Sequence, residues 1–296
     1  MLKATFKKKS LYNISLIIVT LSAILSLMPL IFIFTNSFMS ATEATARYSS
    51  QITAHNVLGV TTEHMHYVDM VFMPDVITTS AWQLILTQDP AHLRFLLNSI
   101  ILTIPIVVGQ LIIAPLAAYA FERTRIKHKD KLFFAYIIIM LLPMQALLVP
   151  HFIAANLLGI SQSYLAIILP AIFAPFGVFL IRQQMKGLEK EMLEAAFIDG
   201  ASEFSAFLHI VMPNIKSSLT ALGVLAFAEA WNIVDQAVVF ITNQFQMPMS
   251  VYLSTGMAGG NMGVVFALST LFMIPALIVF IYGQDDLSEG IGYGGK

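Results

Sequence analysis

The sequence predicts an all-α integral membrane protein with six transmembrane helices and both termini in the cytoplasm. This prediction comes from the composition, the long apolar stretches and the positions of the basic residues. The chain has 296 residues, of which 57% are hydrophobic and only 11% are charged, whereas about 25% of the residues in soluble domains are charged. Because the sequence has no cysteine, disulfides and thiolate metal sites are excluded.

The first half of the chain contains stretches that are apolar enough to cross a bilayer, which takes about 20 residues. A basic N-terminus, residues 1–13, precedes the first crossing, Ile14–Phe34, which we interpret as an uncleaved anchor. The second crossing lies within Leu96–Phe121. The next uncharged stretch, Leu132–Ile181, would be roughly 75 Å long as one helix. We therefore expect it to fold back at the turn-forming residues of Pro150–Ser163.

This fold-back divides the uncharged stretch into a third and a fourth crossing, and two more apolar stretches follow. The four predicted ranges are Leu132–Val149, Tyr164–Ile181, Ser218–Ile241 and Val264–Tyr282. Together with the first two crossings, they form one predicted transmembrane domain, residues 14–282.

The basic residues test the orientation, because cytoplasmic loops carry an excess of lysine and arginine. Six crossings put four segments in the cytoplasm, and these segments hold 14 of the 16 basic residues. The four segments are residues 1–13, 122–131, 182–217 and a tail, 283–296. The two remaining basic residues fall in a long outer segment, residues 37–95, whose mixed composition does not suit a crossing.

The cytoplasmic loop 182–217 is long and has the pattern of two short helices. Residues 187–199 are mostly helix formers, and Gly200 follows them where a left-handed residue often closes a helix. Ser202 suits the N-cap of a second helix, Glu203–Val211, which Pro213 limits. The pattern alone fits either a hairpin lying on the membrane or a docking element for another protein.

The same loop carries a motif with fixed spacing. The string Glu194-Ala195-Ala196 is followed by Asp199-Gly200-Ala201, then by Phe207, Ile210, Met212 and Pro213. This pattern resembles the EAA loop of binding-protein-dependent ABC importer permeases, with Met212 where leucine is usual. The resemblance extends from about Phe95 to the C-terminus and is greatest to the smaller permease subunit of maltose-type carbohydrate importers.

The resemblance implies a type I ABC importer transmembrane domain in a bacterial plasma membrane, surrounded by lipid. It also implies three kinds of protein partner: a second homologous permease, two ATPase subunits and an external solute-binding protein. The ATPase subunits bind ATP and magnesium, so no cofactor is expected in this chain and no nucleic acid among its partners. The implied coupling residues are Glu194, Ala195, Ala196, Asp199, Gly200, Ala201, Phe207, Ile210 and Pro213.

Two acidic residues, Glu229 and Asp235, lie inside the predicted fifth crossing. Carboxylates are costly in a bilayer and usually face a cavity, a partner or each other. Six residues apart on one helix, they would be separated by about 240° and would not share a face. With Trp231 and Asn232 they form a candidate solute pathway, and a structural hydrogen bond is the alternative role of Glu229.

Some patterns resemble sites without matching them fully. His64 and His66 lack a third convincing metal ligand, and Gly290–Lys296 fits part of a P-loop but lacks its Ser or Thr. We therefore expect neither a metal site nor an ATPase site. Two alternatives for the whole chain stay open: an ion-coupled secondary transporter, and an ABC permease for another solute such as glycerol phosphate.

Overall fold

The computed structural model describes residues 2–48, 70–89, 91–123, 127–255 and 261–292, with side chains from residue 12 to residue 288 of those ranges. The chain is helical. The long helices are α1 Leu2–Asn36, α4 Ala91–Arg123, α12 Lys216–Trp231 and α15 Met262–Gly292. The shorter helices are α2 Ala41–Tyr48, α3 Ser80–Gln83, α5 Lys129–Met140, α6 Met144–Leu157, α7 Leu165–Ile172, α8 Pro175–Lys186, α9 Lys190–Ile198, α10 Glu203–Ala206, α11 Met212–Asn214, α13 Asp235–Phe240 and α14 Met249–Ser254. Single π-helical turns cover Leu84–Gln88 and Phe207–Val211, and a 3₁₀ turn covers Gln244–Gln246.

Within the described residues, four helical stretches are long and apolar enough to cross a membrane. These are Tyr12–Asn36, Ala91–Arg123, Leu165–Lys186 and Met262–Ser288. Two bent helix pairs, Lys129–Leu157 and Glu203–Trp231, raise the number to six if each pair is one crossing. The structure therefore has four to six candidate crossings.

The third crossing is not the straight helix Leu132–Val149 that the sequence predicts. The chain bends by 104° between α5 and α6, because Pro143 adopts an extended conformation (ψ 138°) and disfavours helix in the residue before it. Pro150, expected in the fold-back, lies inside α6. The actual turn follows Leu157 and uses left-handed residues at Gly159 and Gln162.

The last two crossings also differ from their predicted bounds. The fifth, expected to run unbroken over Ser218–Ile241, stops at Trp231 and resumes at Asp235 as the short helix α13. The sixth continues through Tyr282 as one helix to Gly292. The described part of the predicted tail, residues 283–292, is therefore helical and continuous with α15.

The chain divides into two compact units, residues 1–92 with 256–271, and residues 93–255 with 272–296. In the first unit, residues 70–78 fold back on the end of α1. Asn36 donates a hydrogen bond to the carbonyl of Val71 (3.0 Å), and the backbone amides of Asp75 and Val76 donate to the Glu43 carboxylate. Burial acts to raise the pKa of Glu43, but these bonds and Arg47 outweigh it, so the pKa lies below its usual value.

The second unit contains the main apolar core of the described residues. Helices α4, α5, α8 and α12 contribute to this core, and the loop 187–215 packs against it. Ile181, Ala118, Ile215 and Leu222 are completely buried there. The loop and the transmembrane helices of this unit thus share one core, which positions the candidate functional elements.

Candidate coupling loop and transmembrane cavity

The turn between α9 and α10 has the geometry that the sequence predicts. Gly200 has a φ of +87°, and its amide donates to the carbonyl of Phe197 (3.1 Å). The amide of Ala201 donates to the carbonyl of Ala196 (2.9 Å). This pair of hydrogen bonds is a Schellman motif, which satisfies carbonyls at a helix end. Ser202 then caps α10 by accepting a hydrogen bond from the Ser205 amide (3.2 Å).

The second helix of the loop passes through Pro213 instead of stopping before it. Proline has no N–H to donate and crowds the carbonyl four residues earlier, here that of His209. The π-helical turn Phe207–Val211 precedes this proline, and such turns widen a helix locally. The helix ends one residue later at Asn214, and the chain bends by 76° into α12.

One face of the loop is buried against the transmembrane helices. Leu193, Phe207 and Val211 are 7%, 5% and 1% exposed and join the core of the second unit. The ring of Phe207 contacts that of Tyr119 with centroids 5.1 Å apart. Phe207, predicted as a coupling residue, therefore anchors the loop to the bundle, while Ile210 is only partly buried beside the same core.

Polar contacts from the end of α4 reinforce this attachment. The Tyr119 hydroxyl donates to the Glu203 carboxylate (2.6 Å), and the Arg123 guanidinium lies 5.1 Å from the centre of the Phe197 ring. These contacts connect α4 to both short helices of the loop. A movement of the loop would therefore be transmitted directly to α4.

A buried arginine at the end of α8 joins three helices near the loop. The Arg182 guanidinium pairs with Glu122 of α4 (3.3 Å) and Asp130 of α5 (3.0 Å). It also stacks 3.9 Å from the centre of the Phe133 ring. Its side chain is 4% exposed. Sequence reasoning did not assign a role to Arg182; the signal available was a charge placed directly after a long apolar stretch.

The opposite face of the loop is open and contains apolar side chains. Ile198 is 86% exposed and Phe204 is 64% exposed, with Leu208 and Met192 at 42% and 41%. Among the predicted coupling residues, those exposed are Glu194, Ala195, Asp199, Gly200 and Pro213, and those half-buried are Ala196 and Ala201. The loop thus has one face bound to its own bundle and a second apolar face with no cover from the described residues.

The second unit also contains a cavity of ≈ 720 Å³, which Glu229, Asn232 and Asp235 line together. The expectation that the two acids do not share a face is wrong. It assumed one continuous helix, but the chain leaves helical geometry between Trp231 and Asp235. This break turns both carboxylates toward the same space.

Trp231, predicted to lie in the solute pathway, is not among the residues that line this cavity. The side chain is 2% exposed and stacks between Phe227 and Phe272, with ring centroids 5.2 and 5.0 Å apart. Its indole N–H donates to the carbonyl of Phe272 (3.0 Å). Trp231 instead fixes the end of α12 just before the break.

Other polar residues of the lining were missed by sequence reasoning. Gln110 of α4, Tyr136 of α5 and His151 of α6 all line the cavity. Gln110 is 4% exposed, and a buried amide inside an uncharged crossing was the signal that could have identified it. Tyr136 and His151 carry no comparable local signal.

The sequence predicts neither a metal site at His64 and His66 nor a P-loop at Gly290–Lys296. Within the described residues, no three His, Asp or Glu side chains are grouped to hold a metal. His64 and His66 lie outside those residues. The backbone of Gly290–Gly292 ends a helix, whereas a P-loop precedes one, and residues 293–296 also lie outside the described part.

Comparisons with known proteins agree with this architecture. Residues 92–285 match the model of the family described as "Binding-protein-dependent transport system inner membrane component". The arabinooligosaccharides transport system permease protein AraQ of Halalkalibacterium halodurans is 30% identical over 230 residues, which are 77% of this chain and 82% of that protein. The sn-glycerol-3-phosphate transport system permease protein UgpE of Yersinia pestis is 31% identical over 66% of this chain and 71% of its own length. The lactose transport system permease protein LacG of Rhizobium radiobacter is 29% identical over 61% and 67%.

A solved structure has the same fold. A chain of a bacterial ABC transporter involved in the import of the acidic polysaccharide alginate superposes with a TM-score of 0.73 at 24% identity, covering 94% of this chain and 96% of that one. The fold is therefore that of a type I ABC importer transmembrane domain. With most of its length matched by the family model, the chain belongs to the binding-protein-dependent ABC transport permeases of the inner membrane.

Proposed function

We propose that this permease translocates a carbohydrate, a di- or oligosaccharide, that an external solute-binding protein delivers. A second homologous permease completes the pathway. The ATPase subunits, which dock on the loop 182–217, bind ATP and magnesium. The chain itself holds no cofactor and hydrolyses no ATP. Family membership gives no support to the ion-coupled secondary carrier, the alternative that the two acidic residues Glu229 and Asp235 had left open.

The two faces of the loop are the observation that supports this mechanism. A closely packed inner face transmits force to α4 and α12, while the outer face presents Ile198 and Phe204 for a partner. Exposed contiguous apolar surface of this kind is typical of a protein-binding site. Closure of the ATPase dimer would move the loop and, through its core, the helices, which is rigid-body switching at an interface.

The same proposal includes a membrane topology. With six crossings, both termini and the loop face the cytoplasm, which agrees with the distribution of the basic residues. Because the chain has no cysteine, single cysteines can report on sidedness. A membrane-impermeant thiol reagent applied to intact cells should label Ser161→Cys, in the turn after α6, and should leave Ser205→Cys in the loop unlabelled. Labelling of Ser205→Cys from outside would contradict the topology.

The names of the relatives support the proposed solute class. Arabinooligosaccharides and lactose are the solutes in the names of two of them, and sn-glycerol 3-phosphate is the solute of a third. A carbohydrate fits this group best, and glycerol phosphate is the second candidate. Uptake assays with the solute-binding protein from the same genetic locus would decide between them.

The docking surface can be tested by co-purification. Ile198→Asp places a charge in the centre of the open face, so it should release the ATPase from a tagged permease complex and abolish uptake. Leu158→Asp is a matched control, because Leu158 is 70% exposed but lies in the turn after α6. The purified chain alone should show no ATP turnover. Retention of the ATPase by Ile198→Asp, with normal uptake, would reject the loop as the coupling element.

A further inference from the structure

Three of the polar side chains that line the cavity of the second unit share a chemical bias. Gln236 also lines the cavity, and its side chain makes no hydrogen bond with the described residues. Gln110 donates a side-chain hydrogen bond to the carbonyl of Ala171 (2.9 Å), Asn232 to that of Ala228 (2.9 Å) and Tyr136 to that of Phe173 (3.1 Å). The N–H or O–H used in each of these bonds is not available to a solute, although each of the two amides keeps a second N–H. The remaining hydrogen-bonding capacity of these groups is therefore weighted toward acceptor oxygens.

Gln110 illustrates this bias at a buried position. It is 4% exposed, and its side-chain carbonyl oxygen accepts no hydrogen bond from the described residues. This oxygen is not one of the fully buried side-chain atoms without a partner, so it is accessible and free to accept a hydrogen bond. Because Gln110 lines the cavity, a group that donates a hydrogen bond there would satisfy it.

The two carboxylates add acceptors and negative charge. Glu229 accepts no hydrogen bond from the described residues, and Asp235 accepts one, from the side-chain amide of Gln145 (3.1 Å). Lysine and arginine are absent from the lining, which belongs wholly to the described chain. The imidazole of His151 also lines the cavity. The charged groups of the lining are therefore acidic.

The size and the apolar part of the lining suit a sugar. The volume of ≈ 720 Å³ lies within the range of about 300–1,000 Å³ that is usual for small-molecule sites. The rings of Phe173 and Phe176 are 58% and 41% exposed and offer flat apolar surfaces beside the acceptors. A pyranose or furanose presents apolar C–H faces together with many hydroxyl donors, which matches this combination.

We propose that this cavity selects neutral, polyhydroxylated solutes and rejects solutes that carry a carboxylate or phosphate. Glu229 and Asp235 determine this specificity: their oxygens accept hydrogen bonds from sugar hydroxyls, and their charge repels anions. The inference rests on the proposed transport function and goes beyond it, because it separates the neutral sugar from glycerol phosphate.

The test uses a cysteine reporter in the assembled importer, with the partner permease and ATPase present. Ala174→Cys is a small change in the lining, and the chain contains no other cysteine. The rate of its modification by a neutral thiol reagent is measured with lactose or with lactobionate, the aldonic acid of the same disaccharide. Asn156→Cys, at the exposed end of α6 outside the lining, controls for effects of either compound on the reagent.

Lactose should slow the modification of Ala174→Cys, and lactobionate should need about a tenfold higher concentration for the same protection, because each carboxylate repels its charge. In the background of Glu229→Gln with Asp235→Asn, the two compounds should protect within about twofold of each other. Neither compound should protect Asn156→Cys.

Three outcomes would overturn the proposal: equal protection by both compounds, stronger protection by lactobionate, or protection by neither. Co-purification of the ATPase is measured on the same samples. If the ATPase stays bound while the charge discrimination is absent, the cavity proposal fails and the coupling proposal stands. Loss of the ATPase from the Ala174→Cys complex, whose loop is unaltered, would count against the proposed coupling interface instead.

Discussion

Helices are interrupted in the coupling loop and beside the cavity, and different interactions stabilise the two breaks. In the loop, the break at Gly200 combines a residue that tolerates a positive φ with an N-cap serine two positions later. Between α12 and α13, residues 232–234 break the helix without any glycine or proline. There the support comes from distant residues: Ser250 donates to the freed carbonyl of Ile233 (2.5 Å), and Trp231 stacks on Phe272. The first break is specified locally and the second by tertiary packing.

The largest expected effect comes from removing the packing at the second break. Trp231→Ala deletes a side chain that is 2% exposed, and such truncations cost about 3–5 kcal/mol. Thermal unfolding of the purified complex should shift accordingly. Phe280→Ala is the control, because Phe280 is 51% exposed in α15 and should change stability little. Equal shifts for the two variants would mean that Trp231 does not support the break.

This contrast explains which features could be predicted from sequence. The turn at Gly200, the cap at Ser202 and the number of apolar stretches follow rules that act within a few residues. The shared orientation of Glu229 and Asp235 could not be predicted, because it depends on a break whose partners, Ser250 and Phe272, are distant in sequence. The bend at Pro143 was missed for another reason: the turn-forming residues after Pro150 were more numerous and outweighed a single proline.

A smaller effect is expected from the hydrogen bond that satisfies the second break. Ser250→Ala removes the donor to the Ile233 carbonyl, and leaving a buried polar group without a partner costs about 1–3 kcal/mol. Ser250→Thr retains the hydroxyl and should recover part of the stability. Ser254→Ala is a further control, since its hydroxyl bonds only within its own helix. If Ser250→Ala were as stable as Ser254→Ala, the break would not depend on this contact.

At the first break the relevant property is the backbone conformation of one residue. Gly200 has a φ of +87°, and a Cβ there would meet no atom within 4 Å, so the cost of a substitution comes from the backbone alone. Gly200→Val should cost about 1–2 kcal/mol and should change the angle between α9 and α10, which reduces co-purification of the ATPase. Gly200→Asn should reduce co-purification of the ATPase less than Gly200→Val does, because asparagine tolerates this conformation. Equal ATPase binding by both variants and the parent would contradict this role.

The smallest effect should come from the N-cap of α10. Ser202→Ala removes the acceptor for the Ser205 amide, a change that typically costs about 1 kcal/mol. The loss should stay local, because the buried anchors Phe207 and Val211 still hold the helix to the bundle. Faster hydrogen exchange at the Ser205 amide, with unchanged thermal unfolding of the complex, is the expected result. Ser202→Asn should restore the slow exchange, since asparagine caps as well as serine. A fall in global stability as large as that of Ser250→Ala would mean that this break, too, depends on the whole fold and not on its own residues.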